Sequence, residues 1–185
     1  MRFRFYHVLA GAVVVLALGG GLLAGASVLR RPAGASLDSK APRLSFQTGD
    51  GRSVSLETFR GKTVLLNVWA TWCPPCRKEM PSLDRLQASK GGDGFVVVAL
   101  SIDKGGAAQV APFFAEVGIR NLTTYLGEPG ATMAALGIVG LPTTLLLDAD
   151  GVERARWAGP KEWDSPAAVA EIDSRLEAPA PAAAR

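Results

Sequence analysis

Thr63-Val64-Leu65-Leu66-Asn67-Val68-Trp69-Ala70-Thr71-Trp72-Cys73-Pro74-Pro75-Cys76 is the stretch that decides the fold. Its first seven residues form a near-continuous apolar run rich in valine and leucine, the pattern of a central strand buried on both faces. Residues 74–89 then read as a helix, with Met80, Leu83 and Leu86 as its apolar stripe. Pro81 is expected to kink that helix. The C-x-x-C pair therefore stands where a buried strand gives way to a helix.

That position gives the two cysteines unequal chemistry. Residues at i and i+3 share a helix face, so the sulfurs of Cys73 and Cys76 can reach bond distance. The pair can pass between dithiol and disulfide with little backbone movement. Cys73 opens the helix, where free backbone N–H groups and the positive end of the macrodipole favour a thiolate. Cys76, one turn further in, is expected to be more buried and to act as the resolving thiol. Pro74 and Pro75 stiffen the loop between them. A purely static bridge is disfavoured, because so short a loop closes little chain entropy.

Outward from this stretch, the order of elements is a hairpin, then β-α-β-α, a connection, a second hairpin and a final helix. The first hairpin joins residues 43–47 and 52–55 around Thr48-Gly49-Asp50-Gly51, and residues 56–59 read as a short helical turn. Residues 95–102 form a second buried strand, 109–117 a helix, 122–126 a short extended piece and 131–136 a short helix. The second hairpin joins residues 143–147 and 152–157 at Asp148-Ala149-Asp150-Gly151. Asp164 or Ser165 can cap the last helix, with Pro166 at its first position. Strands alternating with helices predict an α/β fold of three layers: a mixed central sheet, helices on both faces, and an N-terminal hairpin extension.

The 185 residues carry a net charge of +3, yet that charge is local. Arg2, Arg4, Arg30 and Arg31 flank one apolar run, and from residue 41 onward 15 basic residues face 16 acidic ones. No basic surface for nucleic acid is expected there. The two cysteines are the only ones, and the single histidine is His7. A closed zinc site needs four good ligands, so neither a metal site nor a cofactor is expected.

Residues 8–29 are 22 consecutive uncharged, mostly apolar positions. A bilayer core about 30 Å thick needs roughly 20 helical residues. Residues 1–31 are therefore read as an N-terminal membrane anchor. A cleaved signal peptide is the alternative, because Ala24-Gly25-Ala26 resembles a cleavage site. Arginines on both flanks barely decide orientation. A cysteine pair behind an export-type N-terminus points instead to the periplasmic side of a bacterial inner membrane, where disulfides form. Residues 32–40 read as a linker, 41–178 as the domain and 179–185 as a disordered tail.

Four segments carry a family resemblance: Phe59-Arg60-Gly61-Lys62, the run from Leu66 through Cys73-Pro74-Pro75-Cys76-Arg77-Lys78-Glu79-Met80-Pro81, Val139-Gly140-Leu141-Pro142-Thr143-Thr144, and Asp148-Ala149-Asp150-Gly151. Over residues 42–176 the chain resembles the thioredoxin superfamily, and more closely its membrane-anchored TlpA-type branch. The resemblance implies a thiol–disulfide oxidoreductase with a cis Leu141–Pro142 bond packed against the cysteines. It leaves the Leu141 backbone free to pair with an extended substrate segment by strand addition. Trp72 then reads as an apolar contact surface beside Cys73, with a plain core aromatic as the alternative, and Trp69 reads as core. Arg77, Lys78 and Glu79 read as a solvated helix face, with Arg77 a candidate aid to the thiolate. Many thioredoxins carry a buried aspartate six residues before the first cysteine. Asn67 stands there in this chain, and an amide cannot take the proton of Cys76. The sequence names no general base.

Strong dithiol oxidants depend on an unusually stabilised thiolate, and Pro74-Pro75 adds nothing to stabilise one. The expected direction is reduction of protein disulfides. The resemblance implies electrons from a membrane thiol reductase of the DsbD or CcdA kind, and protein substrates in cytochrome oxidase or cytochrome c assembly. Two alternatives share the cysteines: a Cu(I)-binding metallochaperone using the pair as soft ligands, and a disulfide oxidase or isomerase of the same fold.

Overall fold

A computed structural model describes residues 39–177. The sequence-based anchor or signal peptide (1–31), all but the end of the linker (32–40), and the tail (179–185) lie outside the described residues. Among the described residues no helix is long and apolar enough to cross a membrane.

The strands are β1 (Ser45–Thr48), β2 (Ser53–Ser55), β3 (Thr63–Trp69), β4 (Phe95–Ser101), β5 (Tyr125–Leu126), β6 (Thr143–Leu147) and β7 (Glu153–Ala158). The helices are α1 (Pro74–Lys90), α2 (Ala107–Val117), α3 (Pro129–Leu136) and α4 (Pro166–Glu177), and Leu56–Phe59 form a 3-10 turn. One seven-stranded sheet has the order β2-β1-β5-β4-β3-β6-β7. It is mixed: β3 runs parallel to β4 and β4 to β5, whereas β6 is antiparallel to β3 and β7 to β6. The N-terminal hairpin extends the sheet through an antiparallel pairing of β1 with β5.

Nearly unbroken runs of buried residues in β3, β4 and β6 show that the sheet centre is covered on both faces. The expected β3 matches residue for residue. The extended piece expected at 122–126 shrinks to Tyr125–Leu126, because only these residues pair with neighbouring strands. Both hairpin turns place glycine at positive φ, Gly51 at 84° and Gly151 at 68°, a region that costs a side chain energy and glycine none. Lys40 already bridges Val152 ahead of β1. Ser165 caps α4 by accepting from the Ala168 N–H, and Asp164 turns outward to Arg85.

Register brings two distant segments to one sheet edge. The parallel strands β3 and β4 end at Trp69 and Ser101, paired with each other. Thr143, the first residue of antiparallel β6, lies opposite Val68. The chain leaving β3 and the chain entering β6 therefore emerge side by side, at the C-terminal edge of the parallel strands, where sites in α/β sheets form.

The connection from α2 to β5 is fastened to α1 by one carboxylate. Asp84 Oδ1 accepts from the backbone N–H groups of Arg120, Asn121 and Leu122, and Oδ2 from Asn121 Nδ2. Removing it strands several donors, and an unsatisfied buried donor costs about 1–3 kcal/mol. Asp84→Ala is expected to lower unfolding free energy by about 3 kcal/mol in urea titration, and Asp84→Asn, which keeps the oxygen shared by three N–H groups, by less. A loss below about 1 kcal/mol for the alanine variant would show that water replaces the carboxylate.

Candidate active site

Cys73 and Cys76 are joined by a disulfide, with Cα atoms 5.3 Å apart. Cys73 is the N-cap residue of α1, Pro74 and Pro75 fill the first helical positions, and the Cys73 sulfur accepts from the Cys76 N–H at 3.3 Å. Proline suits those positions because its missing N–H would have had no helical partner. Cys73 is 5% exposed and Cys76 wholly buried. Cys73 is thus the sulfur that solvent or a partner can reach.

The turn before Cys73 is held by a residue with no motif to announce it. Asp103 lies just past the end of β4. It accepts from the Thr71 N–H at 2.9 Å, the Thr71 hydroxyl at 2.7 Å and the Ser101 hydroxyl at 2.8 Å. Its only sequence signal is its place after the second parallel strand. Trp72, between Thr71 and Cys73, is 64% exposed. Beside it opens a cleft of about 340 Å³, lined also by Ile102, Lys104, Gln109 and Pro129. Trp69 is fully buried and stacks on Phe114.

The Leu141–Pro142 bond is cis, and it enters β6 at the same sheet edge. The Pro142 carbonyl accepts from the Gly159 N–H at 2.9 Å. Among the described backbone hydrogen bonds outside helices and strands, none uses Leu141. Val139, nearby in the chain, is almost fully exposed.

The solvated face read for Arg77, Lys78 and Glu79 needs correction. Lys78 is exposed and Arg77 half-buried, but Glu79 is only 2% exposed. Arg77 is occupied: its guanidinium bonds Glu116 and the Thr71 carbonyl, and lies 4.3 Å over the Phe113 ring. Glu79 faces the sheet one turn beyond Cys76. Its Oε1 accepts from Asn67 Nδ2 at 2.8 Å, and its Oε2 from the Trp163 indole at 2.9 Å and the Lys161 N–H at 3.1 Å. Burial pushes the Glu79 carboxyl above the ordinary carboxylate range, against the pull of these donors. The Asn67 amide also donates to Thr144 Oγ1 at 2.9 Å, two residues beyond Pro142. A buried carboxyl thus stands against position 67, supplied from the helix.

Comparison with known proteins agrees with this geometry. Residues 36–176 match the Redoxin family. The thiol-disulfide oxidoreductase ResA of Bacillus thuringiensis subsp. konkukian is 32% identical over 115 residues, covering 62% of this chain and 65% of that protein. The thioredoxin-like protein YneN of Bacillus subtilis is 34% identical over 124 residues, covering 66% and 72%. The crystal structure of a thiol:disulfide interchange protein of the DsbE kind from Chlorobium tepidum superposes with a TM-score of 0.66 at 32% identity, covering 76% of this chain and 99% of that one. The chain spans about two thirds of the length of the ResA relative. A strand–C-x-x-C–helix site, a cis proline at the same sheet edge and matches of this extent have one meaning: the chain belongs to the Redoxin family, as a thioredoxin-superfamily protein of the TlpA/ResA type.

Proposed function

We propose that this chain is a thiol–disulfide oxidoreductase that reduces protein disulfides through Cys73 and Cys76. The observation that carries this reading is the Cys73–Cys76 disulfide at the N-terminus of α1, with a buried carboxylate one turn away.

In the proposed reaction the Cys73 thiolate attacks one sulfur of a substrate disulfide. A mixed disulfide forms, and the other substrate sulfur leaves as a thiolate that takes up a proton. Cys76 then loses its proton to Glu79 and attacks the Cys73 sulfur. The substrate leaves as a dithiol and the domain is left as the disulfide. Two electrons pass to the substrate, and a membrane thiol reductase of the DsbD or CcdA type returns them. Trp72, its cleft and the Leu141 backbone offer an apolar contact and a free strand edge to an extended substrate segment. Pro74 and Pro75 hold the loop, and Pro142 sets the Leu141 edge beside it.

The proposed setting is the periplasmic face of the inner membrane, with residues 1–31 as tether. A tether raises the effective concentration of the domain toward membrane-bound partners. The proposed substrates are cytochrome oxidase or cytochrome c assembly proteins, whose metal-site or haem-site cysteines must be reduced before loading. Cys76→Ser should accumulate a mixed disulfide on Cys73, and a captured assembly protein, identified by mass spectrometry, supports that pathway. Trapping by Cys73→Ser and not by Cys76→Ser would reverse the two roles.

The direction of electron flow has its own test. Pro74-Pro75 gives the Cys73 sulfur no donor beyond the helix N-terminus, so the pair is expected to equilibrate with glutathione as a reducing couple. A potential as oxidising as about −120 mV would make it a dithiol oxidase instead.

Glu79 links pH to both rate and stability. Its carboxyl is raised in the fold by burial, so the neutral form suits the native state better than the ionised one. That stability is fully present below the ordinary carboxylate range and is lost as pH rises through the raised native value. Glu79→Gln, uncharged throughout, should abolish this decline, which begins at the ordinary carboxylate range and runs upward in pH, in urea unfolding. It should also slow the resolving step at neutral pH by roughly 10²-fold, the ordinary contribution of a positioned acid or base. An unchanged rate would take Glu79 out of the mechanism.

A further inference from the structure

Asn67 carries the one buried side-chain acceptor among the described residues that has no donor: its Oδ1 is unpaired. The other end of the same amide is fully used, with Nδ2 donating to Glu79 Oε1 at 2.8 Å and to Thr144 Oγ1 at 2.9 Å. The residue is wholly buried. Such an arrangement is costly as it stands, because a buried polar atom without a partner keeps its full desolvation penalty.

The Glu79 carboxyl can take a proton at one oxygen only. Oε2 already accepts two N–H groups, from Trp163 and Lys161, and both lone pairs are spent. Neither donor can reverse, since an indole and a backbone amide have no acceptor on nitrogen. A proton arriving at Glu79 must therefore sit on Oε1. The O–H so formed is a buried donor facing an amide that is itself donating. The described structure leaves one buried side-chain acceptor free, Asn67 Oδ1, and it belongs to that amide.

We propose that Asn67 is a positioning residue whose amide turns over when Glu79 gains its proton, so that Oδ1 replaces Nδ2 against Glu79 Oε1. In the turned state Oδ1 accepts from the Glu79 O–H. The Thr144 hydroxyl, which can rotate, reverses from acceptor to donor toward the same oxygen. Nδ2 moves to the place Oδ1 now holds. No bond other than hydrogen bonds changes. The protonation state of Glu79 is thereby read on β6 at Thr144, two residues beyond Pro142.

This inference rests on Glu79 as the proton carrier, and its test keeps the two apart by using the disulfide form, in which no thiol proton moves. The full chain, ¹³C- and ¹⁵N-labelled, is titrated by NMR while the Glu79 carboxyl carbon and the Asn67 side-chain amide are followed. The amide resonances are expected to shift with the same midpoint as Glu79. The cross-peak between the Nδ2 protons and the Thr144 methyl, strong with Glu79 ionised, is expected to disappear below that midpoint. Glu79→Gln supplies the second arm. The glutamine side chain of this variant must turn its oxygen to Trp163 and Lys161 and its NH₂ to Asn67, a fixed mimic of the neutral acid. The Asn67–Thr144 cross-peak should then be absent at every pH. An Asn67 amide that holds its place while Glu79 titrates, or that keeps the cross-peak in Glu79→Gln, overturns the proposal. Should Glu79 not titrate in the accessible range, the glutamine arm alone decides.

Discussion

Glu79 is shut away from bulk water, so its carboxylate must be met by protein. Its three donors come from two distant places in the chain: Asn67 on β3, and the loop after β7 with the Lys161 backbone and the Trp163 indole. A carboxylate left alone in an interior of low polarity would be driven to neutralise. The three N–H groups hold it in place while burial still keeps its proton affinity high. Two of these contacts fasten the segment after β7 onto α1, where Ser82 adds a further tie by accepting from the Trp163 backbone N–H. The helix that opens with Cys73 is thus clamped to the sheet through a carboxyl one turn beyond its second cysteine.

Around this clamp the remaining polar contacts fix the site from the other side. Asp103 holds Thr71, which sets the turn into Cys73. Asp84 holds residues 120–122 against the middle of α1. All three acids lie on α1 or face the start of it, and each spends most of its oxygen lone pairs on backbone, amide or hydroxyl donors. Exposed ion pairs such as Arg52–Asp50 contribute little by comparison, since salt screens them and holding two long side chains costs entropy. Buried carboxylates with several donors resist both.

The parts of this molecule legible in its sequence are those whose causes are local. The apolar run of β3, the prolines at the start of α1 and the glycines in both hairpin turns each state their conformation within a few residues. The cysteine pair is legible for the same reason, because strand and helix flank it directly. The cis bond at Leu141 follows from family likeness alone, since a proline in a turn is ordinarily trans. The sequence misplaces Glu79 for a physical reason. In Arg77-Lys78-Glu79 the local pattern is a run of charges, which most often faces water. What buries Glu79 is a distant loop carrying Lys161 and Trp163, 82 and 84 residues further along the chain, and nothing near position 79 announces it. Asp103 escapes likewise, because its partner Thr71 follows another strand.

The two cysteines differ because helix electrostatics are short-ranged. The dipole and free N–H groups at the start of α1 act within the first turn, so they serve Cys73 and fade at Cys76. A thiol placed one turn in gains burial without that compensation, and burial alone favours the protonated form. Attack by Cys76 then needs an acceptor whose proton affinity approaches that of a thiol. An ordinary carboxylate, near about 4.3 against about 8.5 for a thiol, is a poor match. Raising the carboxyl by burial narrows the gap, and proton transfer is most effective when donor and acceptor are close. Thioredoxins that place an aspartate on the strand meet this need from the sheet. Here the sheet offers Asn67, which cannot accept the proton, and in the proposed reaction a carboxylate from the helix takes that part. Asn67 instead holds that carboxylate in the orientation in which a single oxygen remains open.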